Sequence, residues 1–255
     1  MDWLSWVAGI GGRAPVRPDK PRDPMAQLVA LLHHHAIDLV LDVGANAGQY
    51  GARLRRYGYG GRLLSFEPLA SAHAALSARA RDDAAWEVAP AMALGERDGE
   101  VEIGVSAESD MSSLLAQNDL LRRLSPSSVV QAREKVAMRR LDGIDVGPAV
   151  RLHLKVDVQG YEPQVLAGAA GLLDRLTSLQ LEMALVSLYQ GERDWRRMID
   201  EMDERGFDLH LVLPGYFERK LARQLQMDGV FVRREPSSAP PRCTPGPSTT
   251  KAETA

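Results

Sequence analysis

The sequence predicts an α/β fold with a mostly parallel seven-stranded sheet, helices on both faces and a terminal antiparallel strand. Two observations carry this prediction. Short apolar runs alternate with segments of helical pattern along most of the chain, which is the order of parallel strands joined by crossover helices. The first apolar run, at 39–43, leads directly into a glycine-containing turn, as a buried parallel strand does at its carboxyl end.

The first half of the chain contains three predicted strands and two predicted helices. In order they are a strand at 39–43, a helix at 49–57, a strand at 62–66, a helix at 72–81 and a strand at 86–88. Gly58 and Gly60 end the first helix, and the second is rich in alanine, the strongest helix former. The strand at 86–88 is the weakest of the three because its apolar run is short.

The middle of the chain departs from this alternation. Residues 100–105 alternate like a half-exposed strand, and 135–140 predicts another. Between them, 106–133 is polar and mixed, which indicates an inserted lid or substrate region. The parallel pattern then resumes in the second half of the chain. We predict a strand at 152–158, a helix at 163–176, a strand at 179–183, a helix at 195–205 and strands at 207–213 and 229–232.

Length and composition indicate one soluble domain with extensions. The chain has 255 residues, a net charge of -3 and 25% charged residues, which suit one well-buried domain rather than a basic nucleic-acid binder. We expect an N-terminal extension and linker at 1–24, in which Trp3 and Trp6 share a short helix face, a domain at 25–234 and a disordered, Pro/Ser/Thr-rich tail at 235–255. The oligomeric state stays open.

Cysteine usage and hydropathy point to the cytoplasm. Cys243 is the one cysteine, so neither an internal disulfide nor a cysteine-cluster metal site can form. No apolar run approaches the roughly 18–20 residues that span a bilayer, and Asp2 stands where a signal peptide would have a basic start.

The loop after the first strand predicts a nucleoside site. Gly44 and Gly48 are spaced G-x-x-x-G after Asp42, whereas a dinucleotide fold has G-x-G-x-x-G against a pyrophosphate. S-adenosylmethionine (SAM) has no phosphate and carries a positive sulfonium, so an acid beside the loop suits it. Glu67, 25 residues after Asp42, ends the second strand, where a carboxylate accepts hydrogen bonds from both ribose hydroxyls. A bare turn in an unrelated α/β protein is the alternative.

Longer blocks of sequence resemble the FkbM family of SAM-dependent methyltransferases over roughly 37–233. The blocks are 41–50 (LDVGANAGQY), 66–68 (FEP), 93–95 (ALG), 140–142 (RLD), 154–162 (LKVDVQGYE), 165–169 (VLAGA), 181–183 (LEM), 188–191 (LYQG) and 228–231 (DGVF). The resemblance departs from the family at Gln159, where Glu is frequent, and at Tyr161, where a small residue is frequent. The first departure puts a catalytic role for position 159 in doubt.

The resemblance implies a class I (Rossmann-like) methyltransferase fold and O-methylation of a sugar, glycolipid or polyketide-type hydroxyl. It implies that Glu67 holds the ribose and that Met92 and Ala93 lie near the adenine. The residues that it places beside the methionine part of SAM are Asp42, Gly44, Asn46, Gly48 and Gln49.

Acids at strand ends are the candidates for chemistry, because ligands of open α/β sheets bind there. Asp157 is our leading candidate to contact the acceptor hydroxyl, and capping of the next helix is the alternative. Glu182, near the end of the next strand, and Lys155 complete the predicted catalytic set, and a structural ion pair between these two is the other interpretation. A divalent metal on Asp157 and Glu182 is an alternative that two carboxylates do not favour, so we predict no metal ligands.

Other features of the sequence have more modest interpretations. Three successive histidines at 33–35 point in different directions on a helix and predict a helix end rather than a metal site. His153 is predicted to pack in the core. Ser112 and Ser113 either border the active-site mouth or cap a helix, and Tyr189 packs against a sugar or inside the protein.

Two further functions remain as alternatives to an O-methyltransferase. One is an NAD-dependent sugar-modifying enzyme, which the missing G-x-G-x-x-G and Tyr-x-x-x-Lys motifs disfavour. The other is a catalytically inactive methyltransferase fold that serves as a binding protein, against which the intact 42–49 loop and Glu67 argue.

Overall fold

The structure is a computed structural model that describes residues 23–107, 111–148 and 151–235. The predicted Trp-containing helix, most of the linker, Cys243 and the predicted tail from 236 onward lie outside these residues. The six described α-helices are α1 (Pro24–His34), α2 (Gln49–Arg56), α3 (Ala70–Ala80), α4 (Asp119–Leu124), α5 (Glu162–Gly168) and α6 (Trp195–Glu204). The strands are β1 (Leu39–Val43), β2 (Arg62–Phe66), β3 (Trp86–Val88), β4 (Ala93–Leu94), β5 (Gly99–Ser106), β6 (Val130–Arg139), β7 (Leu152–Val156), β8 (Leu176–Ala184), β9 (Phe207–Pro214), β10 (Phe217–Glu218), β11 (Arg223–Gln224) and β12 (Gln226–Arg233).

Seven strands form the main sheet in the order β3-β2-β1-β7-β8-β12-β9. The contacts from β3 through β8 are parallel, and β12 runs antiparallel to both β8 and β9. The predicted α/β class, the mostly parallel seven-stranded sheet and the terminal antiparallel strand are therefore confirmed. The order reverses direction at β1, so the carboxyl ends of β1 and β7 lie beside a topological switch point, where such sheets bind ligands.

Apolar side chains cover both faces of the sheet. On one face, Leu41, Val43 and Val156 pack with α5 and α6 residues such as Leu166 and Met202. On the other face, α1, α2 and α3 cover a second cluster of buried apolar residues. That second face also carries a polar row across four adjacent strands, made by the register partners Ser65, Asp42, Lys155 and Gln180.

A second, three-stranded sheet contains the predicted middle strands, in the order β4-β6-β5. The strand expected at 135–140 begins earlier, at Val130, because it pairs with β5 along nearly its whole length. The predicted insert at 106–133 therefore ends inside a strand. Between β5 and β6 the described residues form α4, which Asn118 caps by accepting the N–H of Leu121.

The helix predicted at 163–176 is too long. The helix ends at Gly168, which packs so closely against the backbone of Gly95 that an added Cβ would lie 1.8 Å from the Gly95 carbonyl oxygen. A turn follows, in which Asp142 accepts the N–H of Gly171, and β8 already begins at Leu176. The helix thus ends where its backbone meets Gly95. The local sequence favours a longer helix because helix propensity carries no information on such a tertiary contact.

Candidate active site

The glycine loop joins β1 to α2 through three residues in the left-handed region, Gly44 (φ +75°), Asn46 (φ +47°) and Gly48 (φ +81°). A Cβ on Gly44 would lie 1.9 Å from the carbonyl oxygen of Asp157, so the loop can meet the end of β7 only with glycine there. A Cβ on Gly48 would instead press on the Leu76 side chain, at 2.9 Å. Gly48 thus serves helix packing, and Gly44 sets the floor of the site.

Glu67 is tied to the glycine loop by its own carboxylate. Its two oxygens accept the backbone N–H groups of Asn46 and Leu69, both at 2.9 Å. The residue is 5% exposed, and burial raises the pKa of its carboxyl group. Each carboxylate oxygen has a second lone-pair direction, so Glu67 can still accept hydrogen bonds from a ligand. Glu67 therefore lies directly beside the glycine loop, as the sequence predicts.

Lys155 is the central cation of the site. Its ammonium lies 3.2 Å from Asp42, 3.5 Å from Asp157 and 3.1 Å from the carbonyl oxygen of Gly44. Burial works to lower the pKa of Lys155, but the charges of Asp42 and Asp157 outweigh burial, and the pKa is raised. Lys155 therefore stays protonated and acts as a fixed charge rather than as a base.

The predicted ion pair between Lys155 and Glu182 is wrong. In the sheet register Lys155 is the partner of Asp42 on one side and of Gln180 on the other. Glu182 lies on the same face of β8 as Gln180 but two residues closer to the carboxyl end of the strand. There it accepts a hydrogen bond from the side-chain amide of Gln159 at 2.8 Å.

Gln159 links two carboxylates and a tyrosine. Its side-chain N–H₂ donates to Asp157 at 3.0 Å and to Glu182 at 2.8 Å, while its side-chain oxygen accepts the Tyr189 hydroxyl at 3.0 Å. Burial, and then the charge of Asp157, raises the pKa of Glu182 well above its ordinary value. An amide at position 159 can donate to both acids, which a glutamate there could not do.

Two alternatives from the sequence are decided by these contacts. Asp157 does not cap α5: the Glu162 carboxylate accepts the N–H groups of Val158 and Gly160 before that helix. Tyr189 is 1% exposed and packs inside the protein rather than offering a face to a sugar. Its hydroxyl oxygen also lies 3.2 Å from the carbonyl oxygen of Met111, so the single hydroxyl proton is shared between Met111 and Gln159 and joins the insert to the site.

A cavity of about 360 Å³ opens at the carboxyl ends of the parallel strands. Its volume lies in the range of small-ligand and cofactor sites. The predicted site residues that line it are Gly44, Asn46, Gln49, Glu67, Met92, Ala93, Lys155 and Asp157. Three others lie behind this wall: Asp42 is fully buried beneath Lys155, Gly48 faces α3, and Glu182 is covered by the amide of Gln159.

Residues from the insert close one side of the cavity. Ser112 and Ser113 both line it, which is one of the two interpretations that the sequence left open. Ser113 donates its hydroxyl to the backbone carbonyl of Gln159 at 2.7 Å and accepts the N–H of Leu115. Neither serine caps α4, so the predicted border of the active-site mouth is the interpretation that the geometry supports.

The cavity wall also contains polar residues that sequence reasoning missed. Tyr50, Arg53, Gln180 and Asp228 all line it. Asp228 lies near the start of β12 and not at the end of a strand. Because β12 is antiparallel, its amino-terminal end lies beside the carboxyl end of β8, and Asp228 is the register partner of Glu182. The block at 228–231 was the signal in the sequence.

Histidine contributes little to this site. His153 is fully buried, and Nδ1 lies 2.8 Å from the Ser178 hydroxyl, which confirms its predicted place in the core. The described residues contain no group of three or more His, Cys, Asp or Glu side chains that could hold a metal ion. Over the same parts of the chain, no helix has the length and apolar character that crossing a membrane requires.

The sequence that forms this site matches the model of one known protein family. The methyltransferase FkbM domain matches residues 42–209, from the end of β1 to the beginning of β9. The chain belongs to the FkbM methyltransferase family. This membership supports SAM-dependent methyl transfer as the general activity and confirms the resemblance seen in the sequence. No curated protein sequence matches the chain.

Solved structures similar to this FkbM-family chain are methyltransferases of low sequence identity. One is magnesium protoporphyrin IX methyltransferase from Synechocystis with bound SAM (14% identity, TM-score 0.45, covering 82% of this chain and 78% of that one). Another is an rRNA methylase from Streptococcus thermophilus (14%, 0.46, 85% and 99%). A third is mitomycin 7-O-methyltransferase (11%, 0.45, 83% and 53%). Their acceptors differ widely.

Proposed function

We propose that this FkbM-family chain is a SAM-dependent O-methyltransferase whose acceptor is a hydroxyl group of a sugar, glycolipid or related natural product. One observation carries the proposal: Glu67, the Gly44 turn and Asp157 face a single cavity of about 360 Å³. This arrangement supports a nucleoside-binding half beside a carboxylate that is suited to a hydroxyl. We further propose a small-molecule acceptor rather than a nucleic acid, and a cytoplasmic location.

The residues of the cavity fit SAM by their chemistry. Glu67 retains acceptor positions for the ribose hydroxyls, and Met92 and Ala93 offer an apolar edge for the adenine. Gly44, Asn46 and Gln49 border the space for the methionine part. Carboxylates near the loop suit a positively charged sulfonium, since opposite charges attract more strongly in a partly buried site.

When bound, SAM supplies a methyl group already activated by its sulfonium. The protein must then align the acceptor oxygen behind the methyl carbon and exclude water, which is catalysis by orientation. Asp157 is placed for this alignment, because Lys155 and the Gln159 amide hold its carboxylate at the cavity wall. The free face of that carboxylate can accept the hydrogen of a hydroxyl.

Binding calorimetry tests the donor. The protein is titrated with SAM, with S-adenosylhomocysteine (SAH) and with NAD, and we expect heat from the first two alone. Binding of NAD without SAM would instead favour the NAD-dependent alternative. SAM binding without methyl transfer to any tested hydroxyl would favour an inactive binding protein.

Release of SAH in the presence of a panel of methyl glycosides and other small hydroxyl compounds tests the acceptor class. Asp157→Asn should lower turnover by about 100-fold while changing SAM affinity less than threefold, since an orienting group acts on the acceptor. The control is Asp82→Asn, an exposed aspartate outside the cavity. An equal loss of turnover and SAM affinity would make Asp157 a structural residue.

Excess EDTA separates metal-dependent from metal-independent transfer. We expect undiminished SAH release, because the described part of the chain brings no third acid, histidine or cysteine to Asp157 and Glu182 in a metal-binding arrangement. Loss of activity that Mg²⁺ restores would establish a metal site.

A further inference from the structure

Asp228 lines the cavity, and its carboxyl group has no role in the alignment of the acceptor by Asp157. It lies on β12, opposite Glu182 in one register and opposite Leu213 in the other. It lines the same cavity as Asp157 and Gln180. The cavity therefore has two aspartates on its wall, one directly after β7 and one on β12, and β8 lies between these two strands.

The two aspartates have different partners. Asp157 lies 3.5 Å from the Lys155 ammonium and accepts from the Gln159 amide at 3.0 Å, so two donors already stabilise its negative charge. Asp228 has a neutral partner, the side-chain amide of Gln180. The oxygen of that amide accepts the Tyr50 hydroxyl at 3.0 Å, which leaves the Gln180 N–H₂ to face Asp228.

Charged groups from three elements surround Asp228. Burial raises its pKa to about 7, the charge of Asp157 adds to the rise, and Lys155 on β7 and Arg53 on α2 oppose it. Glu182 on β8 is a further acidic neighbour, and Tyr50 on α2 faces Asp228 as well. This environment therefore favours the protonated form of Asp228 more than water does.

We propose that Asp228 is the general base of the reaction, whereas Asp157 orients the acceptor without taking its proton. This inference rests on the proposed function. The acceptor oxygen forms a bond to the methyl carbon while the bond between that carbon and sulfur breaks. The electron pair of the broken bond stays on sulfur, which becomes a neutral thioether. The hydroxyl proton passes to a carboxylate oxygen of Asp228, which later releases it to solvent.

The assignment explains why two aspartates share one cavity. A general base works best when it binds a proton with an affinity matched to the working pH, because it must both take the proton and release it. Asp157, which Lys155 and the Gln159 amide hold in place, is suited to fixing the position of a hydroxyl.

The first experiment follows the titration of Asp228 directly, without any acceptor. Protein labelled with ¹³C at the aspartate carboxyl carbons is titrated by NMR, and Asp228→Asn identifies the resonance. We expect a midpoint near 7 in the free protein. Added SAM should lower the midpoint by about one unit and added SAH by much less, because the sulfonium charge favours the ionised carboxylate.

The SAM–SAH difference places Asp228 relative to the reacting atoms. These two ligands differ by the methyl group and its positive charge, so a group facing the sulfonium must respond differently to them. Equal shifts with both ligands, or a midpoint below about 5 in the free protein, would overturn the proposal. The exposed Asp82, assigned through Asp82→Asn, is the internal control.

The second experiment compares SAM affinity and turnover in Asp228→Asn. We expect SAM affinity to fall by no more than the roughly tenfold that a one-unit shift of the midpoint implies. SAH release, with methyl glycosides as acceptors and saturating SAM, should fall by about 100-fold or more. The rise of turnover with pH through about 7 should disappear in this variant. A loss of SAM affinity above tenfold would make Asp228 a cofactor-holding residue and overturn the proposal.

Failure of this proposal and failure of the proposed function give different results. If the parent protein binds no SAM, the proposed function fails, and the inference about Asp228 fails with it. If the parent protein binds SAM and methylates a hydroxyl, but Asp228→Asn retains full turnover and the same pH profile, the base assignment alone is wrong. Asp157→Asn, measured in parallel, should keep the pH dependence near 7 while losing turnover.

Discussion

The carboxylate of Glu67 accepts the backbone N–H of Asn46 at 2.9 Å, which joins the end of β2 to the glycine loop after β1. The contact fixes the two halves of the proposed nucleoside site relative to each other. Glu67 also accepts the N–H of Leu69 and is nearly buried, so its position is set before any ligand arrives. The first prediction concerns this preorganisation.

Glu67→Gln should weaken SAM binding by about 1–3 kcal/mol. The new side-chain amide would turn its N–H₂ group toward the backbone N–H of either Asn46 or Leu69, where two donors would meet. It would also remove an acceptor for a ribose hydroxyl. Calorimetry with SAM measures the loss. Glu87→Gln, on the exposed side of β3, is the matched control and should bind SAM as the parent protein does. Unchanged affinity in Glu67→Gln would refute the ribose role.

Gly44→Ala should destabilise the fold by more than about 2 kcal/mol. The residue has φ +75°, and its new Cβ would lie 1.9 Å from the Asp157 carbonyl oxygen. Urea unfolding measures the change. Gly58→Ala is the control because it has φ +92° but nothing within 4 Å, so it should lose only the roughly 1 kcal/mol of backbone strain. Equal losses would show that steric contact with β7 is unimportant.

Lys155→Met should destabilise the protein by about 3–5 kcal/mol, because fully buried Asp42 would lose its cationic partner. The double variant with Asp42→Asn should recover part of this loss, since no buried charge is then left alone. Urea unfolding of the single and double variants measures the coupling, with exposed Lys135→Met as the control. Strict additivity of the two changes would contradict the ion pair.

His153 should make the protein lose stability as the pH falls. Burial lowers the pKa of His153 to about 3, below its ordinary value near 6.5, so the unfolded chain binds the proton first. The free energy of unfolding should therefore fall by up to about 1.4 kcal/mol per unit between pH 6.5 and the folded-state pKa. His153→Gln should flatten this slope in urea unfolding, whereas exposed His34→Gln should not.

Glu162 should act in the opposite direction. Burial raises the pKa of Glu162 to about 8, so the folded protein holds a proton that the unfolded chain releases above its ordinary pKa near 4.5. Stability from this group is full at low pH and is lost as the pH rises toward 8. Glu162→Gln keeps an oxygen for the N–H groups of Val158 and Gly160 and should flatten that loss. A slope between pH 5 and 8 that matches the parent protein would contradict the prediction.

Local patterns were sufficient to predict the parallel core and the proximity of the residues in the proposed nucleoside site. The apolar run at 39–43, the glycines after it and Glu67 are close in sequence or follow the fixed geometry of a β-α-β unit, so their proximity could be predicted. The helix end at Gly168 could not be predicted, because it depends on a backbone contact with Gly95 that is distant in sequence.

The amino-acid sequence by itself determined the fold class, the family and the acids and glycines of the first two strands, because strand and helix periods and glycine backbone freedom are local properties. Only the tertiary structure decided which charges meet. Lys155 pairs with Asp42 and not with Glu182 because sheet register sets cross-strand neighbours. Asp228 enters the cavity because an antiparallel strand brings its beginning to the edge where parallel strands end.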